Sequence, residues 1–348
     1  MRVTVLGGGS GGYATAADLA LAGHEVRLWR RAAAELAAVR QAGGLTLVAT
    51  DRRDKAAVAV VAELGEAVGG ADVIVVAVPA TAHEDMARQL APHLGEQQLV
   101  LVTPGTLGGF VMAREIIRAG GRLPQAFVET GTLPYRAGKT GPAEIRIAAR
   151  AASLPIGVFP GSRSAALAPV RELFPAARRC VDVLDAALTD GGPVLHPALV
   201  LANLGAIDQG RDVDMTVSAR RLGDAVDAER VAARAGWGYP PLGYEVVTGD
   251  DEIGSGRPMS LAHRYVVEDV ALGLSLFESA ARTVGAETAA SSGLLLVFGT
   301  LLGRPLSGRG RALEHLGLGD LALREIRDLL HAGWSSRFWR RFVRSEGA

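Results

Sequence analysis

Six residues near the start of the chain, Gly7-Gly8-Gly9-Ser10-Gly11-Gly12, constrain its fold more than any other stretch. They follow a short apolar run, Arg2–Leu6, and precede Tyr13–Ala22, whose spacing predicts a helix that Gly23 can terminate. A second strand-like run, Glu25–Trp29, comes next. Strand, glycine turn, helix and strand in that order give a G-x-G-x-x-G pattern its physical meaning. Gly7 permits a tight turn, Gly9 permits an anion to approach bare backbone, and Gly12 lets the helix pack close to the strand. The helix start, at Ser10, Gly11 and Gly12, then offers unpaired N–H groups and partial positive charge to a pyrophosphate. These residues predict a domain that binds a dinucleotide.

The rest of the first half keeps alternating strand and helix patterns, as parallel βαβ units do. Ala32–Ala42 and His83–Leu94 read as helices. Asp72–Val78 is a continuous apolar run, expected of a strand covered on both faces, and Pro79 stops it. Leu99–Thr103 reads as a strand with Pro104-Gly105 as its turn, and further strands are expected at Gln125–Glu129, Glu144–Ala148, Ile156–Phe159 and Arg179–Leu184. After Asp185 helical spacing takes over, at Pro197–Ile207, Val213–Ala235, Ser260–Val284 and Ala289–Leu302, with a loop at Gly249–Pro258. The expected fold is therefore α/β, a Rossmann-type doubly wound parallel sheet followed by an all-α helical domain. Residues 1–186 are expected to bind the dinucleotide and 187–348 to supply the substrate and catalytic domain. The aromatic and arginine-rich stretch Trp334–Arg344 suits an amphipathic helix docked on the body or on a partner subunit.

Composition narrows the function. Lys+Arg and Asp+Glu both total 37, so no net charge argues for nucleic acid or an anionic membrane as partner. The longest late apolar run, Leu294–Leu302, is well short of the ~20 residues that span a bilayer. The apolar residues before Gly7 are too few for a signal peptide, and the lone Cys180 can form no internal disulfide, so a cytoplasmic protein is expected. The histidines at 24, 83, 93, 196, 263, 315 and 331 lack H-E-x-x-H or similar spacing, so no metal is expected. NAD-specific folds usually end the second strand on an acid that holds the ribose hydroxyl. Here that slot holds Arg30 and Arg31, which suit a 2′-phosphate, so NADP(H) is expected over NAD(H).

Several segments resemble the opine (octopine/nopaline-type) dehydrogenases. Val78-Pro79-Ala80-Thr81-Ala82-His83, Thr103-Pro104-Gly105-Thr106-Leu107-Gly108-Gly109 and Glu129-Thr130-Gly131-Thr132-Leu133-Pro134-Tyr135 do so in the first half. His196-Pro197 followed by Asn203, His263-Arg264-Tyr265-Val266-Val267-Glu268-Asp269-Val270 and Gly310-Arg311-Ala312-Leu313-Glu314-His315-Leu316-Gly317 do so in the second. The resemblance implies NAD(P)H-dependent reduction of the imine formed between an amino acid, or amine, and a 2-oxo acid. It places Val78, Pro79 and Gly105 at the cofactor, His196 and Asp269 in acid–base work, and Arg264 and Asn203 at the substrate. It also leaves a homodimer possible. Three positions depart from the pattern: Gly192 and Ser10 stand where asparagine is common, and Ala271 where proline is usual.

The chemistry asks for such groups independently. Hydride addition to a carbonyl or imine builds basicity on the heteroatom, so a proton donor must stand within hydrogen-bond reach. Histidine titrates near neutrality, and a carboxylate behind it fixes its tautomer. Plainer readings exist: His196 could cap a helix, Asp269 could be the N-cap of a helix starting near Val270, and Arg264 could be a solvated charge. Two other functions compete. One is ketopantoate-reductase-like reduction of a 2-oxo acid or ketone, in which related enzymes rely on a lysine of the second domain; this chain has none after Lys139. The other is a non-catalytic NADP(H)-binding relative.

Overall fold

A computed structural model describes residues 1–49, 52–244 and 260–344, so the loop expected at Gly249–Pro258 lies outside the described residues. The chain divides into two compact units, Met1–Val183 and Leu184–Ala348.

The first unit contains β1 (Arg2–Leu6), β2 (Glu25–Trp29), β3 (Leu45–Val48), β4 (Arg53–Ala56), β5 (Val58–Val60), β6 (Val73–Val76), β7 (Leu99–Val102), β8 (Ala126–Thr130), β9 (Tyr135–Gly141), β10 (Glu144–Arg150), β11 (Leu154–Phe159) and β12 (Ala177–Arg179). Its main sheet runs β12-β11-β8-β7-β6-β1-β2-β5. From β8 to β5 every neighbouring pair is parallel. Every residue of β6, β7 and β8 is buried, as the apolar runs of β6 and β7 required. At one end β11 runs antiparallel to β8 and carries β12 with it.

One expected strand joins a second sheet, and two sequence expectations need correction. The strand at 144–148 does not enter the main sheet; β10 pairs with β9 and β3 in a separate four-stranded sheet, order β4-β3-β10-β9. Its polar residues Glu144, Arg146 and Arg150 could not be covered on both faces. The strand expected at Arg179–Leu184 stops at Arg179, and Val183–Ala187 is helical. Ala32–Ala42 splits into a 3₁₀ turn, Ala33–Leu36, and a short helix, Ala37–Gln41.

The second unit is helical. Gly192–Ala202 and Leu204–Asp208 replace the single helix expected at Pro197–Ile207, with the break at Asn203. Val217–Gly236 starts on Thr216, whose hydroxyl accepts the Ala219 N–H at 3.2 Å. The stretch expected as one helix, Ser260–Val284, is a π-helix over Tyr265–Leu274 that continues as an α-helix over Ser275–Thr283. A side chain at Gly273 would collide with Pro193, so glycine lets the π-helix press against the start of Gly192–Ala202. Buried Arg234 ties Val217–Gly236 to Asp185 at 2.7 Å. The last helix, Trp339–Arg344, buries Trp339 and Phe342. Among the described residues, no helix is long and apolar enough to cross a membrane.

Candidate active site

The glycine loop has a division of labour. Gly7 sits at φ +139°, where a side chain would strike the carbonyl of Ala77, and a side chain at Gly12 would strike the carbonyl of Gly7. Gly9 and Gly11 instead face open space, with nothing within 4 Å of where a Cβ would stand. Gly9 is the N-cap of Ser10–Leu21, so bare backbone and a helix N-terminus share one place. Gly7, Gly9, Arg30, Arg31, Val78 and Pro79 border a cavity of about 310 Å³. Such a cradle fits a dinucleotide: two glycines close the turn and two keep it clear.

The charges beside it are more mixed than the sequence implied. Arg30, at the end of β2, pairs with Glu35 at 2.5 Å, and Arg31 pairs with Asp85 at 3.4 Å. An acid thus does stand near the strand end, delivered by the 3₁₀ turn rather than by the strand. Lys139 lies over the Tyr13 ring at 3.6 Å. Burial, and then the nearby Arg30, hold the Lys139 ammonium below its ordinary range, while Glu35 acts oppositely. Gly105 has a packing role, since a side chain there would overlap the Glu129 side chain. Glu129 in turn accepts the Phe110 N–H at 3.1 Å. Thr106 and Leu107 between them adopt left-handed φ of 51° and 58°.

In the second unit, His196 Nδ1 lies 2.7 Å from Asp269 Oδ2. Their side chains are 16% and 9% exposed. The two residues come from different helices, Gly192–Ala202 and the π-helix, brought together where Gly273 receives Pro193. Asp269 stands inside the π-helix, not at a helix start, so the N-cap reading does not apply. π-turns alter side-chain spacing and recur at functional sites. The Tyr265 ring lies parallel to the His196 imidazole, and His263 meets Tyr265 edge-on at 4.5 Å.

Arg264 precedes the π-helix, 41% exposed, with Nε 3.6 Å from Glu268. Burial lowers its pKa, but the carboxylates of Asp269, Glu268 and Asp190 outweigh that and raise it overall. Asn203, expected at the substrate, has its amide engaged elsewhere: it donates to Leu199 O at 2.8 Å and Asp214 O at 2.9 Å, and accepts the Asp214 N–H at 3.2 Å. Those bonds close the helix end and hold the following segment, engaging both the amide nitrogen and the amide oxygen.

Sequence reasoning missed Tyr265, His263, Glu35 and Asp190. Asp190 Oδ1 accepts the Gly192 N–H at 2.9 Å. Burial, and then the charge of Asp269, push its carboxyl up to about 7, against the opposing pull of the Gly192 N–H, His196 and Arg264. The only hint in the sequence was Asp-Gly-Gly opening the histidine-bearing helix. Tyr265 was quoted within its motif, but spacing alone could not show that it lies on His196.

Comparison with known proteins bears on both halves of the chain. The family model of ketopantoate reductase PanE/ApbA matches residues 3–161, which is the dinucleotide half. An opine dehydrogenase of Arthrobacter sp. (strain 1C) is 29% identical over 351 residues, spanning 93% of this chain and 97% of that protein. Along nearly its whole length, this chain is similar to an opine dehydrogenase. The fold agrees with that of octopine dehydrogenase in complex with NADH and agmatine, with a TM-score of 0.67 at 19% identity, covering 94% of this chain and 97% of the other. NADP+-bound yersinopine dehydrogenase gives a TM-score of 0.64 at 14% identity, covering 97% of this chain and 99% of the other.

Proposed function

We propose that this chain is an NAD(P)H-dependent opine-type dehydrogenase that reduces the imine formed between an amino acid, or a related amine, and a 2-oxo acid. The observation that carries the reading is the His196–Asp269 pair at 2.7 Å, in a chain similar to an opine dehydrogenase along 93% of its length. Asp269 takes Nδ1–H, which leaves Nε2 of His196 to exchange protons with substrate. With the amine as its free base and His196 as imidazolium, Nε2 protonates the carbonyl oxygen as the amine nitrogen bonds to the 2-oxo carbon. It then takes a proton back from that nitrogen and returns it to the departing hydroxyl, so that water leaves and a protonated C=N bond forms. When bound, the reduced nicotinamide supplies the hydride that turns this C=N bond into a secondary amine. Arg264 holds a substrate carboxylate with the guanidinium N–H groups that Glu268 does not take.

NADPH is the proposed donor in preference to NADH. Arg30 and Arg31 border the glycine cavity, and a 2′-phosphate would draw Arg30 away from Glu35. Gly7, Gly9, Ser10, Gly11, Gly12, Val78 and Pro79 hold the rest of the dinucleotide in this reading. A cytoplasmic homodimer is the proposed assembly. Leu296, 71% exposed, and Leu301 on the helix Ala289–Leu302 offer apolar surface for it; light scattering measures the mass.

A second reading, reduction of a lone 2-oxo acid, draws on the ketopantoate reductase match over residues 3–161. The half outside that match contains no lysine. Single-turnover oxidation of NADPH separates the two. The opine reading requires both an amino acid and a 2-oxo acid for rapid oxidation, and the ketone reading requires the 2-oxo acid alone.

A further inference from the structure

Gly192 marks a crowded point. A Cβ there would lie 3.0 Å from Asp269 Oδ1 and 3.3 Å from Asp190 Oδ1, so two carboxyl groups converge on the one residue that has no side chain to separate them. Asp190 is anchored in that position by the Gly192 N–H. Asp269 is anchored by His196 through its other oxygen. The three groups therefore form a row, Asp190 beside Asp269 and Asp269 bonded to His196.

We propose that Asp190 is a positioning residue for the His196–Asp269 pair: a second carboxyl whose ionisation sets how much negative charge backs the imidazole, and so over what pH range His196 retains the proton it must donate. The inference rests on the opine-type reading for its consequence in catalysis, though the coupling of the three groups does not depend on it.

The surroundings support this role. The charged or titratable groups facing Asp190 are Asp269 from the π-helix, His196 from its own helix, Arg264 ahead of the π-helix, and Arg230 from Val217–Gly236. Arg230 is itself held by Asp227 at 2.6 Å and by the Leu242 carbonyl at 2.6 Å, so it does not form a close pair with Asp190. The dominant neighbour is thus another carboxylate, and two carboxyl groups at one place resist ionising together. With Asp190 pushed up to about 7, its own negative charge joins the row as pH rises from weak acid to weak base. A negative charge at that place favours the protonated form of the imidazole bonded to Asp269. A side chain at position 192 would force the carboxyls apart; glycine permits the arrangement.

The test compares the full-length wild-type protein with Asp190→Asn, whose amide oxygen can still accept the Gly192 N–H while the charge is gone. The first readout needs no turnover: NMR titration of the His196 ring resonances in the protein without ligands. Wild type should show two steps, one of them at about pH 7 where Asp190 ionises, and Asp190→Asn should show one. The second readout is the pH profile of kcat/KM with a paired amino acid and 2-oxo acid. Asp190→Asn should match wild type below about pH 6 and fall roughly three- to tenfold behind it near pH 8.5. Asp190→Glu, which restores the charge at a longer reach, should recover part of the alkaline activity. A uniform loss at every pH would make Asp190 a structural brace and overturn the proposal, as would identical one-step titrations in both proteins. If no paired substrates turn over, the opine-type reading fails, while the His196 titration still decides the role of Asp190.

Discussion

The imidazole of His196 lies flat on the ring of Tyr265, with centroids 3.5 Å apart and planes 9° from parallel. One face of the histidine is thereby occupied by an aromatic ring while Nδ1 is occupied by Asp269, so two contacts fix its orientation. Tyr265→Phe should keep the stack and most of the rate. Tyr265→Ala should lower kcat about tenfold or more by letting the imidazole drift, because misplaced catalytic groups lose rate steeply. NADPH affinity, measured by fluorescence titration, should not change. Equal kinetics for the Ala and Phe variants would show that the stack does not orient the histidine.

The Arg30–Glu35 pair makes the cofactor preference testable from both sides. Arg30→Ala should weaken NADPH binding about tenfold while leaving NADH nearly unaffected, since a charge-assisted contact to a phosphate is lost. Glu35→Gln should strengthen NADPH binding by releasing Arg30 and removing a carboxylate that would repel the 2′-phosphate. Calorimetric titration of both cofactors reads the outcome. Wild type favouring NADH would instead assign Glu35 to the ribose hydroxyl.

Arg264 combines partial exposure with a position just ahead of Tyr265 and Asp269. Arg264→Lys keeps the charge and loses the planar fork, so KM for the carboxylate substrate should rise substantially. Arg264→Ala should lose more, chiefly in kcat/KM. The amide of the same substrate should discriminate poorly between wild type and Arg264→Ala. Equal losses on acid and amide would make the arginine structural.

Stability should also depend on Asp190. Its carboxyl is pushed up to about 7, so between the ordinary carboxylate range and that pH the folded protein holds a proton the unfolded chain has released. Folding stability contributed by this group is therefore present in acid and falls as pH rises towards 7. Asp190→Asn should raise Tm relative to wild type at pH 8 and leave it close to wild type at pH 4.5. A gain of roughly 2–4 °C per kcal/mol is expected for a chain of this size. A variant less stable than wild type at pH 8 would contradict the sign.

Much of the fold was legible because the apolar runs at 73–76, 99–102 and 126–128 lie in fully buried strands, and full burial leaves an unbroken pattern. The second sheet was not legible: β9 and β10 are polar, and β10 pairs with β3 across a long stretch of chain, which local periodicity does not record. The π-helix was hidden for a related reason, since helical spacing looks alike until packing decides the turn. In the site, His196, Arg264 and Asp269 stood out through motif resemblance. Glu35 and Asp190 did not, because each acts through a neighbour that only the tertiary fold supplies. Asn203 shows the same dependence on packing: the helix ends there and its amide closes that end.

The central claim is tested most directly by product analysis with deuterated NADPH, in a matrix of amino acids against 2-oxo acids, using wild type and His196→Ala. Cofactor oxidation is expected only where both substrates are present, with a secondary amine whose mass is the sum of the two less water plus one deuterium and one hydrogen, the deuterium on the carbon of the new C–N bond. His196→Ala should form that product ~10²–10⁴-fold more slowly with NADPH affinity intact. A deuterated 2-hydroxy acid made from the 2-oxo acid alone, or a secondary amine formed equally fast by His196→Ala, would contradict it.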